Sequence, residues 1–179
     1  MKARMAVVLV AMFVAGCSVI PAAVDRPVSD PQPLLGQVQS TPDQFRDQVV
    51  RWGGTIVRID NRSDTSVIEV VARPLQSNAR PEKNGMSPGR FLIVTANFID
   101  PEIFKAGSDI TATGSLEGIE VRKIGEHDYR YPVLRADGYH LWAPLPERRA
   151  AHPDPFWGHS WMYHRGPYPY WYHPHYYIW

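Results

Sequence analysis

The run VVRWGGTIVRI at residues 49–59 is followed by DNRSD at 60–64 and by TSVIEVVA at 65–72. β-branched residues fill the two outer runs, and the central one is typical of a tight turn. The segment therefore predicts two antiparallel strands joined as a hairpin. The pair Gly53-Gly54 lies inside the first strand and predicts a bulge or a sharp coil, as at the corner of a barrel.

Three further strands are predicted after this hairpin. Residues 90–96 form an apolar run bounded by chain breakers, which indicates a buried strand. Apolar and polar residues alternate over 110–117, which favours a half-buried strand. The last strand, or pair of strands, is expected over 131–142, with a turn at Asp137-Gly138 and a hairpin loop around Gly125-Glu126.

Two short helical segments and one long loop complete the prediction. Thr41-Pro42-Asp43 reads as a helix start, with Thr41 as the cap and an end near Gln48. Asp100 is expected to cap a single turn that stops at Gly107. Residues 75–89 form a polar loop, and a loop of that length is either functional or mobile.

Many short strands with glycine corners favour a mainly β fold. The order of the elements, with a helical turn between the third and fourth strands, predicts a small OB-like antiparallel β-barrel with one or two short helices. An open antiparallel sheet is the alternative.

The N-terminus has the features of a lipoprotein leader. Lys2 and Arg4 precede the apolar run Met5–Val14, which at ten residues is too short to span a bilayer. VAGC at 14–17 resembles the lipobox of bacterial lipoproteins, and Cys17 is the single cysteine of the chain. We expect a signal peptide over 1–16 and lipidation of Cys17, with an ordinary secretory signal as the alternative. Ser18, by resemblance to bacterial sorting signals, favours the outer membrane over the inner one.

Composition divides the rest of the chain into three segments. Residues 17–34 contain four prolines and are expected to form a tether behind the lipidated cysteine, with a first strand of the domain as the alternative. Residues 35–145 are expected to form the barrel domain. Residues 146–179 are expected to form an irregular tail, because aliphatic residues nearly vanish there while aromatic residues, histidines and prolines accumulate.

The tail supports three interpretations. Its four tryptophans and six tyrosines suit the headgroup level of a membrane. They could instead pack against the barrel or a partner. Metal binding by the histidines is the third, because imidazole suits Zn, Cu or Ni. The candidate metal ligands are His164, His173 and His175.

Charge and motif content exclude several functions. The chain has 19 basic and 18 acidic residues, and loss of Lys2 and Arg4 with the leader leaves a net charge of −1. We therefore expect no nucleic-acid partner, since the basic footprint is missing. No hydrolase, zinc-protease, phosphate-loop or dinucleotide motif occurs, so neither an enzyme nor a cofactor is expected. Glu69, Glu117 and Glu120 are expected to face solvent.

With these residues identified, the chain resembles the Slp family of Gram-negative outer-membrane lipoproteins, a starvation- or carbon-stress-inducible group. The resemblance covers roughly 35–145 and implies outer-membrane attachment and a stress-related envelope role, with no catalytic residues. It is carried by the lipobox at Cys17 and by short motifs, namely VVRWGG at 49–54, IEV at 68–70, RPL at 73–75, GRF at 89–91, FIDP at 98–101, GSLEG at 114–118, YPV at 131–133 and HLW at 140–142.

The sequence therefore predicts a non-enzymatic lipoprotein attached to the periplasmic face of the outer membrane. The alternative is a binding protein that takes a small ligand or a metal ion. That ligand would bind through the barrel face, the 75–89 loop or the histidine-rich tail.

Overall fold

A computed structural model of the chain describes residues 19–145. The element order is α1 (Leu35–Ser40), a 3₁₀ turn (Pro42–Phe45), β1 (Val49–Asn61), β2 (Ser66–Arg73), β3 (Arg90–Thr95), β4 (Asp109–Ile124) and β5 (His127–Leu141). Among these residues, no helix is both long enough and apolar enough to cross a membrane.

The five strands close into one barrel in the order β1-β2-β3-β5-β4. The β3–β5 pair is parallel, and the other four pairs are antiparallel. This is the OB arrangement, so the predicted small OB-like barrel is confirmed. The helical turn expected between the third and fourth strands is a hydrogen-bonded turn, in which Asp100 Oδ1 accepts from the backbone of Glu102 at 2.9 Å.

The barrel interior is filled by aliphatic side chains from every strand and one phenylalanine. Ile56, Ile68, Phe91 and Leu116 are each no more than 2% exposed. Burying one such side chain contributes roughly 1.5–3 kcal/mol, so this interior is the main stabilising feature of the domain. α1 adds Leu35 and Val38 to the same cluster. Its remaining members come from the strands and the loop after β3: Val50, Val70, Ala72, Ile93, Ile99, Ile110, Ala112 and Leu134.

The helix in front of β1 differs from the prediction. α1 starts earlier, at Leu35, and residues 42–45 form only a single 3₁₀ turn. Thr41 does not cap this turn with its side chain; its hydroxyl donates instead to the Gln37 carbonyl at 3.1 Å. Leu34 at the N-cap has no polar side chain, which removes the usual local signal for a helix start. Gln37 Oε1 accepts from the Leu34 backbone N–H at 2.9 Å, and packing of Leu35 and Val38 on the barrel stabilises the helix.

The glycine pair in β1 allows the backbones of the neighbouring strands to lie close to β1. β1 is paired to β2 and to β4 at the same residues, with Gly53 opposite both Arg73 and Thr111. A Cβ at Gly54 would overlap the Val71 carbonyl oxygen. The predicted bulge lies further along, where the β1–β2 register shifts between Ile56 and Arg58.

β4 and β5 form a hairpin much longer than the barrel needs. Its turn at Gly125-Glu126 was predicted correctly, but the strands run right up to it. The distal part of this hairpin, residues 117–132, is called the arm below. Gly118, with φ of +132°, lies at a register shift where the arm leaves the barrel. The predicted turn at Asp137-Gly138 is wrong, because both residues lie within β5.

The segment before α1 packs against the barrel. Val24 is fully buried, and its carbonyl accepts hydrogen bonds from Arg51 Nε at 2.8 Å and Thr113 Oγ1 at 2.9 Å. Ser29 donates its backbone N–H to Val49. The segment from Val24 to Pro33 therefore belongs to the folded domain.

We expect Gly54→Ala to lower the free energy of unfolding by about 2 kcal/mol, because the new methyl group overlaps the neighbouring strand. The matched control is Gly36→Ala in α1, where a Cβ meets no atom within 4 Å and helix propensity improves by roughly 0.5–1 kcal/mol. Urea denaturation of both variants measures the difference. Equal stability of the two variants would contradict the close approach at Gly54.

Candidate functional site

The outer face of β2 and β3 is the surface that OB-folds commonly use for ligands. In this chain the arm covers it. Ile124, Tyr129 and Tyr131 of the arm pack on Val67 and Leu92, which are no more than 1% exposed. That face is therefore closed to a ligand in this conformation.

A buried carboxylate lies beneath the arm. Glu69, on the outward side of β2, is only 6% exposed, so the expectation that it faces solvent is wrong. Its Oε1 accepts from Arg90 Nη1 at 2.7 Å and from the Tyr131 hydroxyl at 2.9 Å. Arg58 lies 3.7 Å from the other oxygen. Opposite charge and hydrogen bonding thus compensate the cost of burying this carboxylate.

The cluster shifts two pKa values. Burial, and then the hydrogen bond to Glu69, raise the pKa of Tyr131 to about 12. The hydrogen bond to Glu69 also raises the pKa of Arg90. The Tyr129 hydroxyl accepts from the backbone N–H of Arg90 and the Gln39 side chain. These contacts fasten the arm to β2, β3 and α1, which is a structural role.

An apolar groove of about 750 Å³ remains open on another side of the barrel. That volume lies within the range of small-molecule sites in proteins. Four separate segments line it: residues 32–37 at the start of α1, 51–53 of β1, 72–75 at the end of β2, and the 75–89 loop through Met86 and Pro88. Leu34 and Met86 are 70% and 90% exposed. The groove thus presents apolar side chains to solvent at its rim.

Trp52 forms part of the groove wall and packs edge-on against Phe91 of the barrel interior, with ring centroids 5.4 Å apart. Gly53 and Leu75 line the groove beside it, and they lie so close together that a Cβ at Gly53 would be 2.9 Å from Leu75 Cδ2. The wall is therefore rigidly supported by the core, while the rim is not.

Two arginines are the charged residues of the groove lining. Arg51 is occupied, since its guanidinium also donates to the Arg26 carbonyl at 2.9 Å and lies 3.7 Å from Asp25. Arg73 donates to the Gly85 carbonyl, but its buried Nε has no acceptor, and no carboxylate among residues 19–145 pairs with it. The electrostatic character of the groove is therefore positive.

The 75–89 loop is held to the barrel at several points. Ala79 is buried, and its carbonyl accepts from Thr111 Oγ1 at 2.7 Å. The Arg80 guanidinium lies over the Trp142 ring, 5.2 Å from its centroid. Burial, followed by the charge of Arg80, lowers the pKa of His140 next to it. The loop is thus a packed wall of the groove.

The residues predicted from the sequence as sites lie outside the described range. Cys17 precedes it, and His164, His173 and His175 follow it. Within 19–145, no group of three or more His, Cys, Asp or Glu side chains is arranged to hold a metal ion. The groove itself was missed, because its walls come from four distant segments and no local pattern joins them.

The fold defines a class of protein, a small OB-like barrel, and the sequence before it resembles a lipobox. The sequence profile of the outer membrane lipoprotein Slp family matches residues 14–177, and the chain belongs to this family. It is therefore an outer-membrane lipoprotein of Gram-negative bacteria, as the sequence predicted, and is associated with that membrane.

Two proteins of Escherichia coli (strain K12) are similar to the chain. The uncharacterized lipoprotein YeaY is 31% identical over 170 residues, covering 92% of this chain and 86% of its own. The outer membrane protein Slp is 26% identical over 133 residues, covering 73% and 69%.

Among solved structures, the chain is similar to a small single-stranded DNA-binding protein from Streptomyces coelicolor. The TM-score is 0.34 at 6% identity, covering 53% of this chain and 94% of that one. A likeness at this level carries no inference about a ligand.

The raised pKa of Tyr131 predicts a loss of stability at alkaline pH. A tyrosine whose pKa is higher in the folded state stabilises the fold fully below pH 10 and loses that contribution as pH rises through about 12. We expect the free energy of unfolding of the wild type to fall by about 2 kcal/mol more than that of Tyr131→Phe over this range. Urea denaturation across pH measures the difference, with Tyr139→Phe as the control. Parallel pH profiles for wild type and Tyr131→Phe would contradict the buried contact with Glu69.

Proposed function

We propose that the protein is a non-enzymatic lipoprotein held against the periplasmic face of the outer membrane by acyl chains on Cys17. Its barrel serves as a structural or stress-related component of the envelope. The single observation that carries this proposal is the docking of Val24 on the barrel, seven residues after the cysteine. The family match supports the membrane assignment.

The docked segment limits how far the barrel can move from its anchor. Residues 18–23 separate Cys17 from Val24, and the seven residue-to-residue steps between them span at most about 25 Å. A tether running to residue 34 would have reached on the order of 50 Å. The barrel is therefore held beside the headgroups, with the face around Val24 and Thr113 nearest the attachment point.

The polar groups of the barrel support a role without catalysis. The buried cluster of Glu69, Arg90 and Tyr131 is internally compensated, and the arm covers it. A catalytic group has to reach a substrate, whereas Glu69 and Tyr131 are buried and the partly exposed Arg90 is hydrogen-bonded to Glu69. The stress-related role is the one that family resemblance implies.

A second candidate function is binding of a small ligand. The apolar groove favours it, since a cavity of about 750 Å³ with exposed apolar rim residues suits a small molecule. Metal binding, the other form of this alternative, depends on the tail histidines alone and gains no support from residues 19–145.

We expect Cys17→Ser to release the protein from the membrane fraction and to abolish labelling by radioactive palmitate. One acyl chain gives only marginal membrane affinity, so stable anchoring needs the several chains that a lipoprotein cysteine carries. Ser18→Asp should move the protein to the inner membrane, with Ser18→Ala as the matched control. Sucrose-gradient separation of the two membranes measures both. Retention of Cys17→Ser in the outer membrane would contradict the anchor.

Close attachment predicts strong energy transfer between the domain and the membrane. A donor dye is attached to a cysteine introduced at Ser63, in the β1–β2 turn. The dye labels this position alone because acylated Cys17 does not react. Energy transfer to acceptor-labelled lipids then reports the distance between the domain and the membrane. Insertion of about twenty Gly and Ser residues after Val19 should reduce the transfer, since a flexible linker of that length adds on the order of 25 Å. A linker of the same length inserted at Gly125, in the arm turn, is the control. An unchanged signal after the first insertion would contradict close attachment.

A further inference from the structure

We propose that the groove binds the acyl chain of a long-chain fatty acid from the membrane surface, with the carboxylate near Arg73. This inference rests on the proposed function in one respect, namely that the domain is held beside a bilayer. It goes further by assigning a ligand class to the groove.

The shape and lining of the groove suit an acyl chain. Trp52, Ala72, Leu75 and Pro74 provide apolar contact along the wall, and Leu34 with Met86 extends it to the rim. Burying an apolar chain against such a surface contributes roughly 25 cal/mol for each Å² removed from water. Leu34 and Met86 are among the most exposed large apolar residues of the described range, which indicates that the rim lacks a cover within residues 19–145.

The positive charge of the groove favours a ligand whose polar end is a carboxylate. Its lining contains no acidic residue, and Arg73 has no carboxylate partner within the described part of the chain. The Nε of Arg73 is buried without an acceptor, and an unsatisfied buried donor is costly. A carboxylate at this guanidinium would form a charge-assisted hydrogen bond and satisfy that donor after a small rotation of the side chain. A guanidinium without a carboxylate partner among residues 19–145, beside an apolar surface, therefore fits an amphiphile with a single negative charge better than a neutral one.

The groove lies near the docked segment that follows the proposed anchor, which favours the membrane surface as the source of the ligand. Residues 32–34 form one wall and continue directly from the segment docked by Val24. Arg51 belongs to both features, because it binds the Val24 carbonyl and lines the groove. The groove is therefore close to the end of the domain that the lipid anchor holds near the headgroups.

The test uses the mature chain, residues 17–179 with Cys17→Ser, and dansyl-undecanoic acid as the fluorescent probe. We expect saturable binding of one probe per protein, with weaker binding of the uncharged methyl ester. Leu34→Asp and Met86→Asp should each weaken binding of the acid about tenfold or more, by removing apolar contact and adding a like charge. Phe98→Asp is the matched control: Phe98 is 73% exposed but lies outside the groove.

Arg73 provides the second arm of the test. Arg73→Gln should remove the preference for the acid over the ester, whereas Arg73→Lys should keep it. Thermal unfolding of each variant verifies that the fold persists, because Arg73 also holds the loop through Gly85. The lysine variant separates loss of charge from any loosening of the loop.

Several results would overturn the proposal. Equal weakening by Phe98→Asp and Met86→Asp would indicate nonspecific adsorption, and equal binding of acid and ester by the wild type would remove the role of Arg73. Binding that requires removal of residues 146–179 would favour a segment of the chain itself as the occupant. Concentration-dependent dimerisation that displaces the probe would favour a second copy. Membrane fractionation of the groove variants should stay unchanged, so failure of this proposal is distinguishable from failure of the anchor.

Discussion

Closure of the barrel through β1 is the constraint on which the rest of the structure depends. β1 is hydrogen-bonded along both edges, to β2 and to β4, and the two pairings overlap at Gly53–Thr55. Neighbouring backbone lies so close there that Gly53 and Gly54 leave no space for side chains. Trp52 and Gly53 of the same strand also line the groove, so β1 contributes both to the closed barrel and to one wall of this exterior site.

One face of this barrel, on β2 and β3, is covered, whereas the groove on another side is open. The arm packs over β2 and β3 and brings Tyr131 onto the buried Glu69, so the usual ligand surface of the OB-fold is closed. The groove, which is bordered by α1, β1, β2 and the 75–89 loop, has no such cover among residues 19–145. When an extension such as the arm covers the usual ligand surface of a fold, a different surface is left for binding. The fold alone therefore does not identify the ligand.

The short separation between Cys17 and the docked segment would limit how the barrel is oriented at a membrane. Val24 is fixed to β1 and β4 only a few residues after Cys17, so a lipid modification there would set the distance of the barrel from the membrane. A domain on a long tether samples many orientations, whereas one docked at its first residues presents a restricted set of faces. The groove wall at residues 32–34 follows the docked segment directly, so the candidate site adjoins that segment.

The sequence by itself determined the β1–β2 hairpin and the OB-like barrel class, and it predicts the lipoprotein leader, because these depend on residues adjacent in the chain. Alternation, turn residues and the lipobox are all local patterns. Only the tertiary structure decided that Glu69 is buried, that residues 24–33 are docked, and where the groove lies. The contacts responsible join Glu69 to Tyr131 across 62 positions and Val24 to Thr113 across 89. A strand pattern states which face a residue is on, but it does not state what the folded chain later places over that face.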